Sequence, residues 1–426
     1  MRNLIPHPGL ALVLAGIVLG PPAVPAQEWN GEEEAVNGVL HVRNPASGML
    51  PAETIGVEEL WRIGGHSEAD EEFFGVISDI IIDEANRVYL LDLQLSEVRV
   101  FDETGAYVTT MGREGEGPGE FRRPINMHFF PDGGLGVIQA WPSKMVLFDA
   151  DGSPGGEFPF KPEGEGFAGM NGAAMAGENL ALVYSLSEPA EGRFTRRTTL
   201  ALVDAAGKEK AALRTQESAM DYSSSLCVER DWNGFERCWS AARDGRVFVR
   251  DSFTDYAISV FDAGGNLERV IHRAYPPHLR KKEDVERIEK QWAGGISRWV
   301  QNPTFDIEES WNPIEDIHAR DDGSIWVRTS RGARDLEEGT MARFDVFDRE
   351  GRYVQEIVLG GDFDSENDGL FIDGAYAFVV TDLISAARAF PGGAGEAGGD
   401  DEEVEEDPEP MSVICYRMEY GAVVSR

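Results

Sequence analysis

Four polar residues of this 426-residue chain share one register. The reference point is the residue at which each repeat turns from its first strand to its second. Counting back seven places, Asn86 leads to Asp79, Gly133 to Asn126, Gly323 to Asp316 and Gly374 to Asn367. All four would open innermost strands near the mouth of one central channel. Two carboxylates and two amides facing one axis offer the hard oxygen ligands that Ca²⁺ takes. The same side chains can instead cap strand starts by accepting backbone amides. The residues favour that plainer role, because the same count gives Met170 and Cys238 in the remaining two repeats and leaves the ring of oxygens incomplete.

Counting back five places puts His128 and His318 in equivalent positions. Zinc takes three or four protein ligands. No third histidine shares the register, and His272 and His278 fall near a connector, so two packed imidazoles are expected. Trp232, Trp292, Trp299 and Trp311 fall in long connections and could stack on a sugar or peptide, although packing is the commoner use of such rings. Cys227 and Cys238 are close enough in sequence for a disulfide in an oxidising compartment. Cys415 lies in an apolar strand pattern and reads as buried filler. No Gly-x-Ser-x-Gly element supplies a serine nucleophile. The glycines after Gly112 are followed by neither Gly-Lys-Ser/Thr nor a helix start, so they form no phosphate loop.

These residues are placed by a repeat. Gly112 to Pro124 (GREGEGPGEFRRP) carries too many glycines and prolines for a helix or strand interior. It joins two segments of like grammar: strand, polar turn, strand, gap, strand ending in aromatic-Asp, tight turn, strand. The aromatic-Asp turns begin at Phe101, Phe148, Phe261 and Phe347, with a weaker version at Val203. Asp opens such a turn by bonding its own backbone, and Gly supplies the positive φ. The last copy has three strands, at Leu370, Ala375 and Ser412. An orphan strand at Leu60–Ile63 would complete it. The reading is an all-β, six-bladed β-propeller with four antiparallel strands per blade. It is closed by an N-terminal strand joining the C-terminal blade, which removes the open sheet edges.

Two insertions interrupt the period. Residues 275–313 contain a helical stretch from Lys281 to Val300, with Val285, Ile288, Trp292, Ile296 and Trp299 at helical spacing. Residues 391–410 are Gly-rich, then acidic, and are expected to stay disordered in water. In four-stranded blades the connections between blades, and those between second and third strands, emerge on one face. The Gly112 connector, the cysteine pair and both insertions share that face, where long loops carry function.

Residues 1–26 read as a secretory signal, too short to span a bilayer, with 27–54 an N-terminal extension and 55–426 the propeller. The formal charge of −37 argues against nucleic acid and anionic membranes. An exported, periplasmic or extracellular monomer is expected, without a transmembrane segment.

Phe74-Gly-Val-Ile-Ser-Asp-Ile, Val98-Arg-Val-Phe-Asp, the Gly112–Phe121 stretch, Asp322-Gly-Ser-Ile-Trp-Val327 and the opening His41-Val-Arg-Asn-Pro45 together resemble the NHL-type six-bladed β-propellers exported by bacteria. The resemblance covers roughly Leu40 to Tyr420 and departs from the group in the acidic loop. It implies architecture and little chemistry. A few similar propellers are calcium-dependent lactonases, and one is a zinc-dependent amidating lyase. The expected function is binding of a peptide, protein or glycan on the loop-rich face, with no catalysis and no cofactor. The alternative is a Ca²⁺-dependent lactonase or esterase with its metal in the channel.

Overall fold

The computed structural model describes residues 28–164, 166–190, 193–221, 225–296, 300, 302–390 and 410–419. The expected signal segment, most of the acidic loop and Trp299 lie outside the described residues.

Three N-terminal strands, β1 (Glu32–Val36), β2 (Val39–Asn44) and β3 (Glu53–Gly64), precede the repeats. Sheet one then holds β4–β7 (Ile77–Ile82, Val88–Asp92, Glu97–Phe101, Tyr107–Met111). Sheet two holds β8–β11 (Pro124–Phe129, Leu135–Gln139, Lys144–Phe148, Pro154–Glu157). Sheet three holds β12–β15 (Phe167–Ala176, Asn179–Ala190, Arg193–Val203, Glu209–Asp221). After a short strand β16 (Leu226–Val228) and helix α1 (Glu229–Trp232), sheet four holds β17–β20 (Trp239–Ala241, Val247–Arg250, Ala257–Phe261, Leu267–Arg273). Helix α2 (Lys282–Ile296) and β21 (Thr304–Asp306) lead to sheet five. That sheet is β22–β25 (Ile314–Ala319, Ile325–Thr329, Thr340–Phe347, Tyr353–Gly360), with α3 (Ser330–Arg334) between β23 and β24. Strands β26 and β27 (Gly369–Asp373, Tyr376–Val380), α4 (Leu383–Ala389) and β28 (Ser412–Glu419) complete the chain.

Within each sheet the consecutive strands pair antiparallel. The sixth is completed from the other end of the chain: β3 runs antiparallel to β28, with Trp61 opposite Cys415 and Ile63 opposite Val413. The first residues of β3 also pair, in parallel, with β25 of sheet five. β2 pairs in parallel with β20 of sheet four and carries β1 on its far side. The N-terminal segment therefore lies along the outer edges of sheets four, five and six. Asn44, almost fully buried, pins it between two of them. Its Nδ2 donates to His272 O at 3.0 Å and Gly351 O at 2.8 Å, and its Oδ1 accepts from Tyr353 N at 2.7 Å.

Burial follows strand order. In sheet one all five residues of β5 are buried, whereas four of the five in β7 are exposed. Middle strands buried on both faces need apolar residues without alternation, and Val88-Tyr-Leu-Leu supplies them. Six hydrophobic clusters fill the gaps between consecutive sheets. One joins Tyr89, Leu91 and Val100 of sheet one to Met127, Leu135 and Val137 of sheet two. Another joins Trp61, Phe378 and Val413 of sheet six back to Ile80, Leu90 and Phe101 of sheet one. The aromatic-Asp turns form as the sequence predicts. Asp102 Oδ1 accepts the amides of Thr104 and Ala106 at 2.9 and 3.0 Å, and Gly105 takes φ +81°.

The expected Cys227–Cys238 disulfide is absent: both thiols are free and buried. β16 pairs in parallel with β21, placing Cys227 opposite Phe305 of the helical insertion and packing it against Val300. Cys238 instead joins the core between sheets four and five, its Sγ 3.6 Å from Ile314 O. Burial pushes its thiol up to about 12, the chemistry of an inert packed sulfur.

Candidate functional site

The channel residues of the sequence register act as latches. Asp79 Oδ2 accepts Met127 N at 2.9 Å and Asn126 Nδ2 at 3.0 Å, and its Oδ1 accepts Ile80 N at 3.0 Å. Asn126 Oδ1 passes the pattern on, accepting Ala173 N of sheet three at 2.8 Å. Ser240 of sheet four accepts Ala319 N of sheet five at 3.0 Å, and Asp373 of sheet six accepts Ile82 N of sheet one at 2.8 Å. Each side chain thus satisfies an amide of the next sheet's innermost strand. Burial pushes the Asp79 carboxyl up to about 6, and the amides of Met127 and Ile80 only partly offset it.

The other two predicted ligands bond differently. Asp316 forms an ion pair with Arg328; although burial opposes it, that guanidinium holds the carboxyl below its usual range. Asn367 sits in the loop before β26, donating to Asp364 Oδ2 at 2.9 Å and accepting Ser385 Oγ at 2.9 Å. The four residues do not fit a Ca²⁺ ion. Asp79 has both oxygens filled by protein donors, Asp316 is neutralised by a guanidinium, and Asn367 belongs to a separate hydrogen-bond set. Among the described residues no group of three or more His, Cys, Asp or Glu side chains could hold a metal.

The two equivalent histidines are packed. Burial holds His128 and His318 neutral, each near pKa 4, and their rings meet Phe130 and Phe344 edge-on. His272, off that register, pairs with His41 of β2 through Nδ1 and Nε2 at 2.9 Å.

The cleft lies at the starts of the innermost strands, where the long connections meet, and Ile125, Asn171, Asp316 and Asn367 are among its lining. Two adjoining cavities open there, an inner one of about 680 Å³ and an outer one of about 830 Å³. They share a wall made by Trp311, Gln291 and Ile288 of the insertion and by Glu315, Arg328 and Arg334 of sheet five. The insertion is held over the ring by one buried ion pair. Glu229, at the start of α1, takes Arg280 Nη1 at 2.5 Å and Nη2 at 2.7 Å, and also accepts Glu308 N at 2.9 Å. Both partners are 3% exposed. Arg280 lies 4.4 Å from the centre of the Trp311 ring and Arg334 lies 3.9 Å from it. The ring is therefore braced by two cations as a fixed part of the wall of both cavities.

Of the four predicted tryptophans, Trp292 and Trp311 line the inner cavity. Trp299 and the side chain of Trp232 lie outside the described residues. The feature that sequence reading passed over is arginine. Six arginines and four carboxylates line the inner cavity of a chain whose formal charge is −37. Their scatter from position 196 to 334 hides the cluster until the sheets bring it together.

A family model, DUF5128, described as a 6-bladed beta-propeller, matches residues 68–221, the span of sheets one to three. The fold is a six-bladed β-propeller. Among solved structures, a DUF4221-family member from Bacteroides vulgatus is 11% identical, with 86% of this chain and 99% of that one covered and a TM-score of 0.48. A protein of Bacteroides fragilis described as exported is 13% identical, covering 85% and 99%, with a TM-score of 0.45. A gluconolactonase from Xanthomonas campestris is 11% identical, covering 81% and 87%, at 0.39. No curated protein matches the chain. The propeller's chemistry has to be read from its own cleft.

Proposed function

We propose that this propeller is an exported binding protein of the NHL type. Its loop-bearing face takes a ligand, whether peptide, protein or glycan, in the two-lobed cleft under α2. The closing blade, built from both chain ends, keeps that face rigid, and no catalysis occurs there. The observation that supports this is the shared wall at Trp311. Connections from four different blades contribute to one continuous concavity of a size suited to an oligomeric ligand. Three of the carboxylates lining it are tied to arginines: Glu229 to Arg280, Asp316 to Arg328, Glu315 to Arg334. A carboxylate locked to a guanidinium is a poor general base. No described ligand set supports the alternative, a Ca²⁺-dependent hydrolase.

The test is a binding screen of the full chain against glycan and peptide arrays, followed by titration of any hit to Trp311→Ala. The expected result is at least tenfold weaker binding at nearly unchanged far-UV circular dichroism. A hit bound equally well by the variant would move the site off this cleft. Turnover of a lactone or ester, lost on chelation, would replace the binding reading with the hydrolase.

A further inference from the structure

Arg250 has no carboxylate partner among the described residues. It ends β18 and is 9% exposed, and its guanidinium lines the inner cavity. Its bonds go only to carbonyls: Nη1 to Ile314 O at 3.4 Å, and Nη2 to Asn233 O at 3.2 Å and Gly234 O at 2.7 Å. A guanidinium carries five N–H donors, so Nε–H and one Nη1–H remain. A buried charge compensated only by carbonyl dipoles and the Phe253 ring, 5.8 Å away, is costly. Every other arginine at this depth of the cavity has its anion: Arg280 has Glu229, Arg328 has Asp316 and Arg334 has Glu315.

A second cation is also unspent. Arg237 is exposed, lines the same cavity and makes no ion pair among the described residues. Arg196 is held loosely, 3.7 Å from Glu236. The inner lobe therefore presents spare, forked positive charge in a protein that is otherwise strongly acidic.

Between the arginines stand side-chain amides. Among the described residues, Asn171 gives its nitrogen to Ser185 Oγ at 2.6 Å and keeps its oxygen, Asn312 gives its oxygen to Ile314 N at 3.1 Å and keeps its nitrogen, and Gln291 has no partner. Free amide oxygens and nitrogens in one wall suit hydroxyl groups, which both donate and accept. Phe253 and Ile125 add apolar surface to the same cavity.

We propose that the inner lobe is a subsite for a sugar acid, a ring bearing hydroxyl groups and one carboxylate. The carboxylate lies between Arg250 and Arg237, and the hydroxyls face Asn171, Asn312 and Gln291. A fork of N–H donors matches a carboxylate in a bidentate fashion. This assignment rests on the cleft being the binding site and names the ligand class that it takes.

The experiment is calorimetric titration of the full chain with D-glucuronate, D-galacturonate, D-glucose and inorganic sulfate at low salt. The expected result is binding of at least one uronate, at least tenfold tighter than glucose or sulfate and weakened by added salt. Arg237→Gln, on an exposed side chain, should weaken it at least fivefold with an unchanged melting temperature. Arg250→Lys keeps the charge and loses the fork, and should weaken it further. Glucose binding as well as the uronates would overturn the sugar-acid subsite while leaving the cleft in use. Sulfate matching them would reduce the lobe to a general anion site and also overturn it. No uronate binding at all would overturn the inference even where an array ligand still depends on Trp311.

Discussion

Glu229 grips both terminal nitrogens of Arg280, at 2.5 and 2.7 Å, and through that pair the only long helix among the described residues is fastened to the ring. Both charges are buried, so removing either strands the other. Glu229→Gln should lower the stability of the chain by about 3–5 kcal/mol. It should also free the insertion first, exposing residues 282–296 to protease under conditions where the native chain resists. Equal resistance in the variant would show that β16 and β21 hold the insertion without the ion pair.

The Gly112 connector predicts a contrast between two glycines. Gly112 has φ +75°, and a Cβ there would sit 2.3 Å from the ring of Phe121, which is fully buried. Gly374 has φ +53° with open space around it. Gly374→Ala should therefore cost only the backbone term, about 1–2 kcal/mol. Gly112→Ala should cost more, because Phe121 must move as well. Chemical denaturation of the two variants checks the order, and equal losses would show that Phe121 yields freely.

The pH dependence of stability has a definite sign at His128. Its folded pKa near 4 lies below the usual 6.5, so the folded chain holds it neutral. As pH falls below 6.5 the unfolded chain binds a proton that the folded chain refuses, and stability is lost. His128→Leu removes that loss. Relative to the native protein, the variant should gain about 2 kcal/mol on going from pH 7 to pH 5. Asp79 and Asp345, raised by burial to about 6, act in the opposite sense across the same interval. His318, held near 4 like His128, adds a second loss of the same sign, so the native protein should lose some stability with acid and the variant should lose about 2 kcal/mol less. Parallel melting curves of the two proteins at both pH values would refute the assignment.

Asp79→Ala removes the acceptor for Met127 N and Asn126 Nδ2 together and should cost about 1–3 kcal/mol. Millimolar Ca²⁺ should leave the melting temperature of the native chain unchanged. A Ca²⁺-dependent rise that disappears in the Asp79→Ala, Asp316→Ala double variant would restore the channel metal.

Much of this was legible in the residues. Repeat grammar is local, so strand order, the aromatic-Asp turns and the pairing of Leu60–Ile63 with the last strand follow from sequence alone. The helix at 282–296 shows through its apolar spacing. Side-chain partners were less legible, because they are set by what the sheets bring near. Cys227 and Cys238 are eleven positions apart, yet β21 pulls the first into a different cluster. Asp79 and Asp316 share a register, yet only Asp316 has an arginine opposite, Arg328 on β23. The cationic lobe left no trace in a charge of −37, because its arginines come from separate blades.

The pairing of β3 with β28 has a consequence for synthesis. Trp61 leaves the ribosome some 350 residues ahead of Cys415, the residue it faces. Throughout that delay the early strand has no partner on that edge, and no nascent prefix can finish the circle. Closure of the ring must therefore await synthesis of β28. A premature stop codon before Ser412 would leave residues 56–64 of β3 without their antiparallel partner, although β2 and the first residues of β3 would still be held by sheets four and five.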